Sequence, residues 1–329
     1  GGDMQLRQYG GLTALTAALC AGAAVHTTAL AADWEPRKPV EFVIMAGPGG
    51  GADKMARLMQ SVIEKNDLAS KPFVPVNKPG GSGAEALFHL KNNAGDDHLF
   101  MVTLNSFYTT PIRQPALGID ISTFTPIGRM AEDTFVLWVN KDSAITTLDQ
   151  YVAAAKAAGR DWVMGGTGRA QEDELLTRWL NQTYGLDMSY VPFKGGGDVA
   201  KQLAGNHINS SVNNPSEALG FYDAGTLVPI AAFTPERLEL FPDTPTFKEL
   251  GQDYSYFMQR SVVGPPGMSD DAAAYYRDLF AKLYETSEWQ DYMASKSLRG
   301  DFMTDGELTE YWDQQRKLHE KLLEDIGDS

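Results

Sequence analysis

The chain has 329 residues, of which 43% are hydrophobic and 22% charged, and it carries a formal net charge of -15. This is an ordinary globular composition, long enough to bury a substantial core and to make roughly two domains. The acidic balance excludes nucleic acid and anionic membrane surfaces as partners, because both repel a chain of that sign. An anionic ligand would have to be held by local dipoles and a few cations.

Residues 1–32 read as an export signal. Met4 opens a short segment with one cation, Arg7. Residues 12–25 follow, rich in alanine and leucine, and Ala29-Leu30-Ala31-Ala32 offers a small-residue cleavage pattern. The apolar part is too short and too alanine-rich to be a good membrane span. The single cysteine, Cys20, lies inside this segment behind a bulky Leu19, which argues against lipid attachment. The exported chain would then have no cysteine, fitting a periplasmic location and excluding a cysteine nucleophile or thiolate metal site.

From residue 33 onward short apolar runs alternate with helical spacing, the rhythm of an α/β protein. Strands are expected over 40–46, 73–77, 99–104, 135–140, 162–165, 189–193, 208–212, 228–233 and 255–264. Helices are expected over 53–66, 82–92, 148–158, 171–184, 197–205, 216–224, 270–286, 288–296 and 305–325. Two strand-turn-helix units, near residues 40 and 162, imply two lobes. The chain would cross between them near residues 140–143 and again near 251–256, so that 33–140 with 256–329 form one lobe and 141–255 the other.

The stretch Val40-Glu41-Phe42-Val43-Ile44-Met45-Ala46-Gly47-Pro48-Gly49-Gly50-Gly51-Ala52-Asp53 reads as strand, glycine turn and helix start. Glycines let backbone approach a ligand, and free N–H groups at a helix start attract an anion. Gly47, Gly49 and Ala52 satisfy a dinucleotide-type spacing. Pro48 and Asp53 argue against a pyrophosphate there, and the second strand ends in Val76-Asn77-Lys78 without the acid that would hold a ribose. Asp53 is expected to cap the helix, and Ser82 to cap the next one. A tight turn with no ligand is the plainer alternative.

Catalytic groups are sparse. His89, His98, His207 and His319 have no metal or triad spacing and read as surface or packing residues. Glu172-Asp173-Glu174 reads as a solvated first turn of a helix. A secreted α/β hydrolase or nucleotide-dependent enzyme is therefore the competing, less favoured class. Arg260 stands in the apolar run Phe257-Met258-Gln259-Arg260-Ser261-Val262-Val263, where a lone guanidinium needs a partner. It could clamp a ligand carboxylate or pair with an internal acid, and the residues alone leave both open.

Five stretches in order resemble the solute-binding receptors of tripartite tricarboxylate transporters, a family of type II periplasmic binding proteins. They are Pro48-Gly49-Gly50-Gly51-Ala52-Asp53 with Ala56-Arg57; Asn77-Lys78-Pro79-Gly80-Gly81-Ser82-Gly83; Val191-Pro192-Phe193-Lys194-Gly195-Gly196; Phe241-Pro242-Asp243-Thr244-Pro245-Thr246; and Arg260-Ser261-Val262-Val263-Gly264-Pro265-Pro266-Gly267. The resemblance implies a two-lobed α/β fold, each lobe a sheet flanked by helices, closing on a small di- or tricarboxylate. It implies a monomeric, non-enzymatic receptor without cofactor or metal that serves membrane transporter subunits. The ligand carboxylate would lie between Gly49, Gly50, Gly51 and Asp53 on one side and Gly166, Thr167 and Gly168 on the other. Asn105, Ser106, Asn213 and Asn214 would orient it, and Arg260 would meet a second carboxylate at the far end. Where the family often has small hydroxyl residues and then a histidine, this chain has Arg169-Ala170-Gln171-Glu172-Asp173. Phe107, Tyr108 and Phe257 would line an apolar ligand body or pack in the core.

Overall fold

The computed structural model describes residues 34–325; the expected export signal lies outside the described residues. The chain runs through β1 (Val40–Ile44), α1 (Gly51–Lys65), β2 (Phe73–Asn77), α2 (Ala84–Asn92), β3 (Leu99–Val102), α3 (Ser106–Arg113) and β4 (Thr125–Thr134). It continues through β5 (Val136–Asn140), α4 (Leu148–Ala158), β6 (Val163–Thr167), α5 (Glu172–Tyr184), β7 (Ser189–Phe193), α6 (Gly196–Ala204), β8 (Ser210–Ser211), α7 (Pro215–Asp223) and β9 (Leu227–Ala232). It closes with β10 (Phe257–Gly264), α8 (Asp270–Tyr284), α9 (Ser287–Ser295) and α10 (Asp305–Asp325).

The strands form two sheets of the same layout, β2-β1-β3-β10-β4 and β7-β6-β8-β5-β9. In the first, β1 lies parallel between β2 and β3, while β10 runs antiparallel to β3 and β4. In the second, β6 lies parallel between β7 and β8, while β5 runs antiparallel to β8 and β9. Each sheet therefore has a switch point at the carboxyl end of its central parallel strand, where ligands of open α/β sheets bind.

Local sequence accounts for most of these elements. The run Val40 to Ile44 is apolar because four of its five residues are buried. Helix α1 buries Met55, Ala56, Met59, Val62 and Ile63, one face at helical spacing. Phe42 and Phe100 meet edge-on at 4.7 Å, and Phe280 of α8 packs on both, so the returning chain closes the first core. In the second lobe Trp138 meets Phe241 edge-on at 5.2 Å.

The structure departs from the expected elements at several points. The expected strand at 135–140 does not end the first lobe. Residues 136–140 pair with β8 and β9 in the second sheet, so the chain passes between sheets at Phe135. The return begins at β10, and Phe135 and Tyr256 meet at the two crossings with tilted rings, centroids 5.5 Å apart. Strand β4 and helix α3 were not foreseen. β4 carries Arg129, Glu132 and Asp133, and α3 contains Pro111, which obscures both patterns. Ser82 is not a helix cap: it has φ of 57°, and α2 begins after Gly83.

The lobes meet along a seam of backbone and side-chain bonds. Gly47 N–H donates to Lys194 O at 3.0 Å, and Arg169 N–H to Ser82 Oγ at 3.2 Å. Lys54 Nζ donates to Ser216 O at 2.6 Å. The turn that meets the first glycine loop backbone to backbone is the one leading into α6. A Cβ on Gly197 would lie 2.7 Å from the carbonyl carbon of Gly49, and one on Gly195 would lie 3.2 Å from Gly47 N. We predict that Gly197→Ala separates the lobes, raising the radius of gyration in small-angle scattering and costing about 1–3 kcal/mol of stability. An unchanged radius would show that this backbone contact does not set the closure.

Candidate functional site

The site begins at the turn after β1. Gly49 has φ of +82°, a conformation that a residue with a Cβ adopts only under strain. Helix α1 starts at Gly51 with Gly50 as its N-cap, so Asp53 is not the cap expected from sequence. As the third helical residue it reaches back instead. Its Oδ2 accepts the Gly49 N–H at 2.9 Å, while Oδ1 accepts Arg57 Nε and Asn77 Nδ2, each at 3.0 Å. Asp53 fixes the loop from behind, as a carboxylate at this position does in a capping box.

The front of the loop faces the other lobe. Gly51 N–H donates to Glu217 Oε1 at 2.8 Å, which puts a carboxylate on the positive end of α1. Glu217 is itself held by its own lobe: Oε2 accepts Asn213 Nδ2 at 2.8 Å and Asn214 N–H at 3.0 Å, part of the capping box that starts α7. Asn213 Nδ2 also donates to Gly196 O, and its Oδ1 accepts from Ser211 Oγ.

Arg260 is 1% exposed. Its Nη2 donates to Asp133 Oδ2 at 2.8 Å and to Asn214 Oδ1 at 3.2 Å, and its Nε lies 3.3 Å from Asp133. Its Nη1 is buried without a hydrogen-bond partner in the protein. Burial pushes the Asp133 carboxyl up to about 6, against the attraction of Arg260. A Cβ on Gly51 would fall 2.3 Å from Arg260 Nη2, so the guanidinium sits against the first glycine turn, not at the far end of the cleft. The internal pair and a free donor coexist on one side chain.

The second turn is organised by α5. Gly166 and Thr167 belong to β6, and Gly168 has φ of +62° and donates its N–H to Phe193 O. Gly166 admits α5 closely, since a Cβ there would lie 2.4 Å from that of Asp173. Glu172, Asp173 and Glu174, expected to be solvated, are 1%, 7% and 9% exposed. Two of them satisfy backbone donors of their own turn, Thr167 N–H to Asp173 Oδ2 at 2.7 Å and Ala170 N–H to Glu174 Oε2. Glu172 is different. Burial drives its carboxyl up to about 7; its own N–H, Arg260 and the N–H groups of Ser106 and Asn105 at the start of α3 offset this in part. Its Oε1 is buried without a hydrogen-bond partner in the protein.

One cavity of about 10 Å³ joins these parts. Among the residues expected to bind, Gly50, Gly51, Thr167, Asn214 and Arg260 line it, together with Glu172, Asp173 and Glu217. Asn105, Ser106, Asn213, Gly49, Asp53, Gly166 and Gly168 stand outside that lining. The Asn105 side chain donates to the Tyr256 hydroxyl at 3.0 Å and to Phe257 O at 2.8 Å, and its Oδ1 accepts the Gln259 N–H, pinning α3 to β10. Ser106 is fully buried. Phe107 and Tyr108 pack in the core, and Phe257 lies under the Arg299 guanidinium at 4.5 Å.

The acids were the residues that sequence reading missed. Glu217 had a legible signal, since Asn214-Pro215-Ser216-Glu217 fits a capping box with proline at the first helical position. Asp133 was signalled only indirectly, by the need of Arg260 for a partner. His319 is fully buried: Nδ1 faces Gln315 O at 2.6 Å and Nε2 faces the Tyr256 hydroxyl at 2.7 Å, and burial lowers its pKa to about 4. Among the described residues no group of three or more His, Cys, Asp or Glu could hold a metal ion, and no helix is long and apolar enough to cross a membrane.

An acid whose folded-state pKa is raised supports the folded state only while it is protonated. The contribution of Glu172 is therefore complete below about 4.5 and lost as the pH rises through about 7. The melting temperature should fall across that range, and Glu172→Gln should flatten the fall and raise stability near neutrality. A variant whose melting temperature tracks the wild type at every pH would contradict the burial of this carboxyl.

Comparison with known proteins agrees with this architecture. Over 327 residues the chain is 25% identical to the "UPF0065 protein in gbd 5'region" of Cupriavidus necator, covering 98% of both chains. It resembles the structure of R. palustris Rpa4515 with adipate at a TM-score of 0.82 and 21% identity, over 90% of this chain and 99% of that one. It also resembles MatC (Rpa3494) from Rhodopseudomonas palustris with bound malate at a TM-score of 0.79 and 18% identity, over 87% and 99%. Residues 55–327 match the model of the tripartite tricarboxylate transporter family receptor. With that match spanning most of its length, and with two α/β lobes of the periplasmic-binding-protein fold, the chain belongs to the tripartite tricarboxylate transporter family receptors.

Proposed function

We propose that this protein is an extracytoplasmic receptor that binds a small carboxylate between its lobes and delivers it to a tripartite tricarboxylate-type membrane transporter. Residues 1–32 would direct its export, and the closed monomer would be the form that the membrane subunits recognise. The lobes in this reading are 34–135 with 257–325, and 136–256. Adjacent crossings at Phe135 and Tyr256 would serve as the hinge, tied together through Phe233, whose N–H donates to Phe135 O and whose O accepts the Tyr256 N–H, each at 3.0 Å.

The observation that carries the reading is the free Nη1 of Arg260, buried in the cavity where the two lobes meet. A guanidinium edge with nothing to bond inside the protein is a donor for an incoming carboxylate. The first glycine turn, with the N-terminus of α1, lies against the same guanidinium and adds dipolar attraction. That two proteins of the same fold hold adipate and malate supports the carboxylate class. Movement of the two lobes about the paired crossings would give the closure that delivery requires.

A thermal-shift panel of malate, adipate, succinate and citrate, with nucleotides as contrast, tests this. A ligand at about 100 times its Kd stabilises by about 2.7 kcal/mol, so at least one carboxylate should raise the melting temperature by several degrees. Scattering should show the protein compacting with the same compound. Arg260→Lys, which keeps the charge but loses the planar fork, should weaken that ligand by about tenfold or more. A panel in which only nucleotides stabilise the protein would overturn the receptor reading.

A further inference from the structure

We infer that Glu217 is a built-in latch: its carboxylate caps helix α1 from the opposite lobe and so holds the two lobes together before any ligand is bound. The inference goes beyond the receptor reading above and holds whichever ligand is carried. Helix α1 opens at Gly50, an N-cap with no side chain to cap with. The cap comes instead from 166 residues away, through the bond from Gly51 N–H to Glu217 Oε1 at 2.8 Å. The first N–H groups of a helix have no partner within it, so separating the lobes takes from α1 the partner of its first N–H.

The carboxylate is preset by its own lobe. Its second oxygen accepts Asn213 Nδ2 at 2.8 Å and Asn214 N–H at 3.0 Å, so it is already aimed when the lobes meet. Gly196 makes room for it, since a Cβ there would fall 2.1 Å from Glu217 Oε1. The starts of α1, α6 and α7 thus converge on one carboxylate, which suits all of them. Lys54, in the first turn of α1, adds a second tie by donating to the carbonyl of Ser216, the neighbour of Glu217, at 2.6 Å. Burial lowers the Lys54 pKa, and the attraction of Glu217 is the largest effect opposing it. The seam closed in this way leaves a cavity of about 10 Å³, room for about one water. Anything larger enters only after Gly51 and Glu217 part, so breaking the latch is a step in opening the cleft.

Small-angle scattering on the dialysed full-length protein tests this. Glu217→Gln can satisfy only one of the two lobes: with its carbonyl oxygen on Asn213 and Asn214, its amide N–H₂ faces the Gly51 N–H. It keeps the α7 cap and loses the bond between lobes, so the radius of gyration should rise while circular dichroism stays unchanged. Glu217→Ala should open the protein as well. Acetate, which matches the deleted Cγ and carboxylate, should return that variant to the wild-type radius, whereas acetamide at the same concentration should not. The latch is overturned if the dialysed wild type already scatters as an open form, or if Glu217→Gln keeps the wild-type radius. It is overturned too if acetate compacts Glu217→Ala no more than acetamide does. The receptor reading survives each of these results, because it fails only if the carboxylate panel fails.

Discussion

The Arg260–Asp133 ion pair is the interaction on which the cleft depends. It is buried where β4, β10, the first glycine turn and the start of α7 converge, and both side chains are 1% exposed. Removing two charges from water is expensive, and the cost is offset only in part here, because Arg260 Nη1 has no hydrogen-bond partner in the protein. Asn214 satisfies part of the guanidinium from the second lobe and also donates to Thr134 O, beside the first crossing. The β4–β10 register shifts between Arg260 and Ser261, an irregularity of the kind that redirects a side chain from its strand. One pair thus ties the cavity lining to the chain crossing beside it.

Around that pair the protein uses its own carboxylates as ligands for its own helix termini. Glu217 from the second lobe sits on the start of α1, and Glu172 faces the first N–H groups of α3. Asp53 and Asp173 tie down the loops behind them. The second lobe therefore presents acids to the positive helix starts of the first, which offsets part of the repulsion within a chain of net charge -15. The cost appears in the raised pKa values of Asp133, Glu172 and Asp173, all caused first by burial.

Behind the cleft, a neutral polar relay holds the geometry. Asn105 donates to the Tyr256 hydroxyl, which faces His319, whose other nitrogen faces the Gln315 carbonyl of α10. Tyr108 stacks on the same imidazole at 5.2 Å. The last helix is thereby locked to the start of α3 and to the second crossing, so that the C-terminal segment stiffens the lobe it returns to. Such fully connected networks rigidify a core when every member is satisfied.

What the sequence determined by itself is the alternation of strands and helices, the two lobes, and the glycine turns at the ends of the central strands. These follow from periodicity and from backbone conformations that only certain residues adopt, and both are local properties. Tertiary structure decided the rest. β4 escaped notice because Arg129 and Asp133 look like solvent-facing residues until their partners are known. The crossing moved to Phe135 because an apolar strand does not reveal which sheet it joins. Asp53 and Ser82 were read as caps because cap chemistry is local, but α1 is capped at Gly50 and α2 at Gly83. Glu172-Asp173-Glu174 carries the same letters as any solvated first turn. The turn at Thr167 and Ala170 takes up Asp173 and Glu174, and the start of α3 in the other lobe faces Glu172, so their burial depends on how the surrounding turns fold.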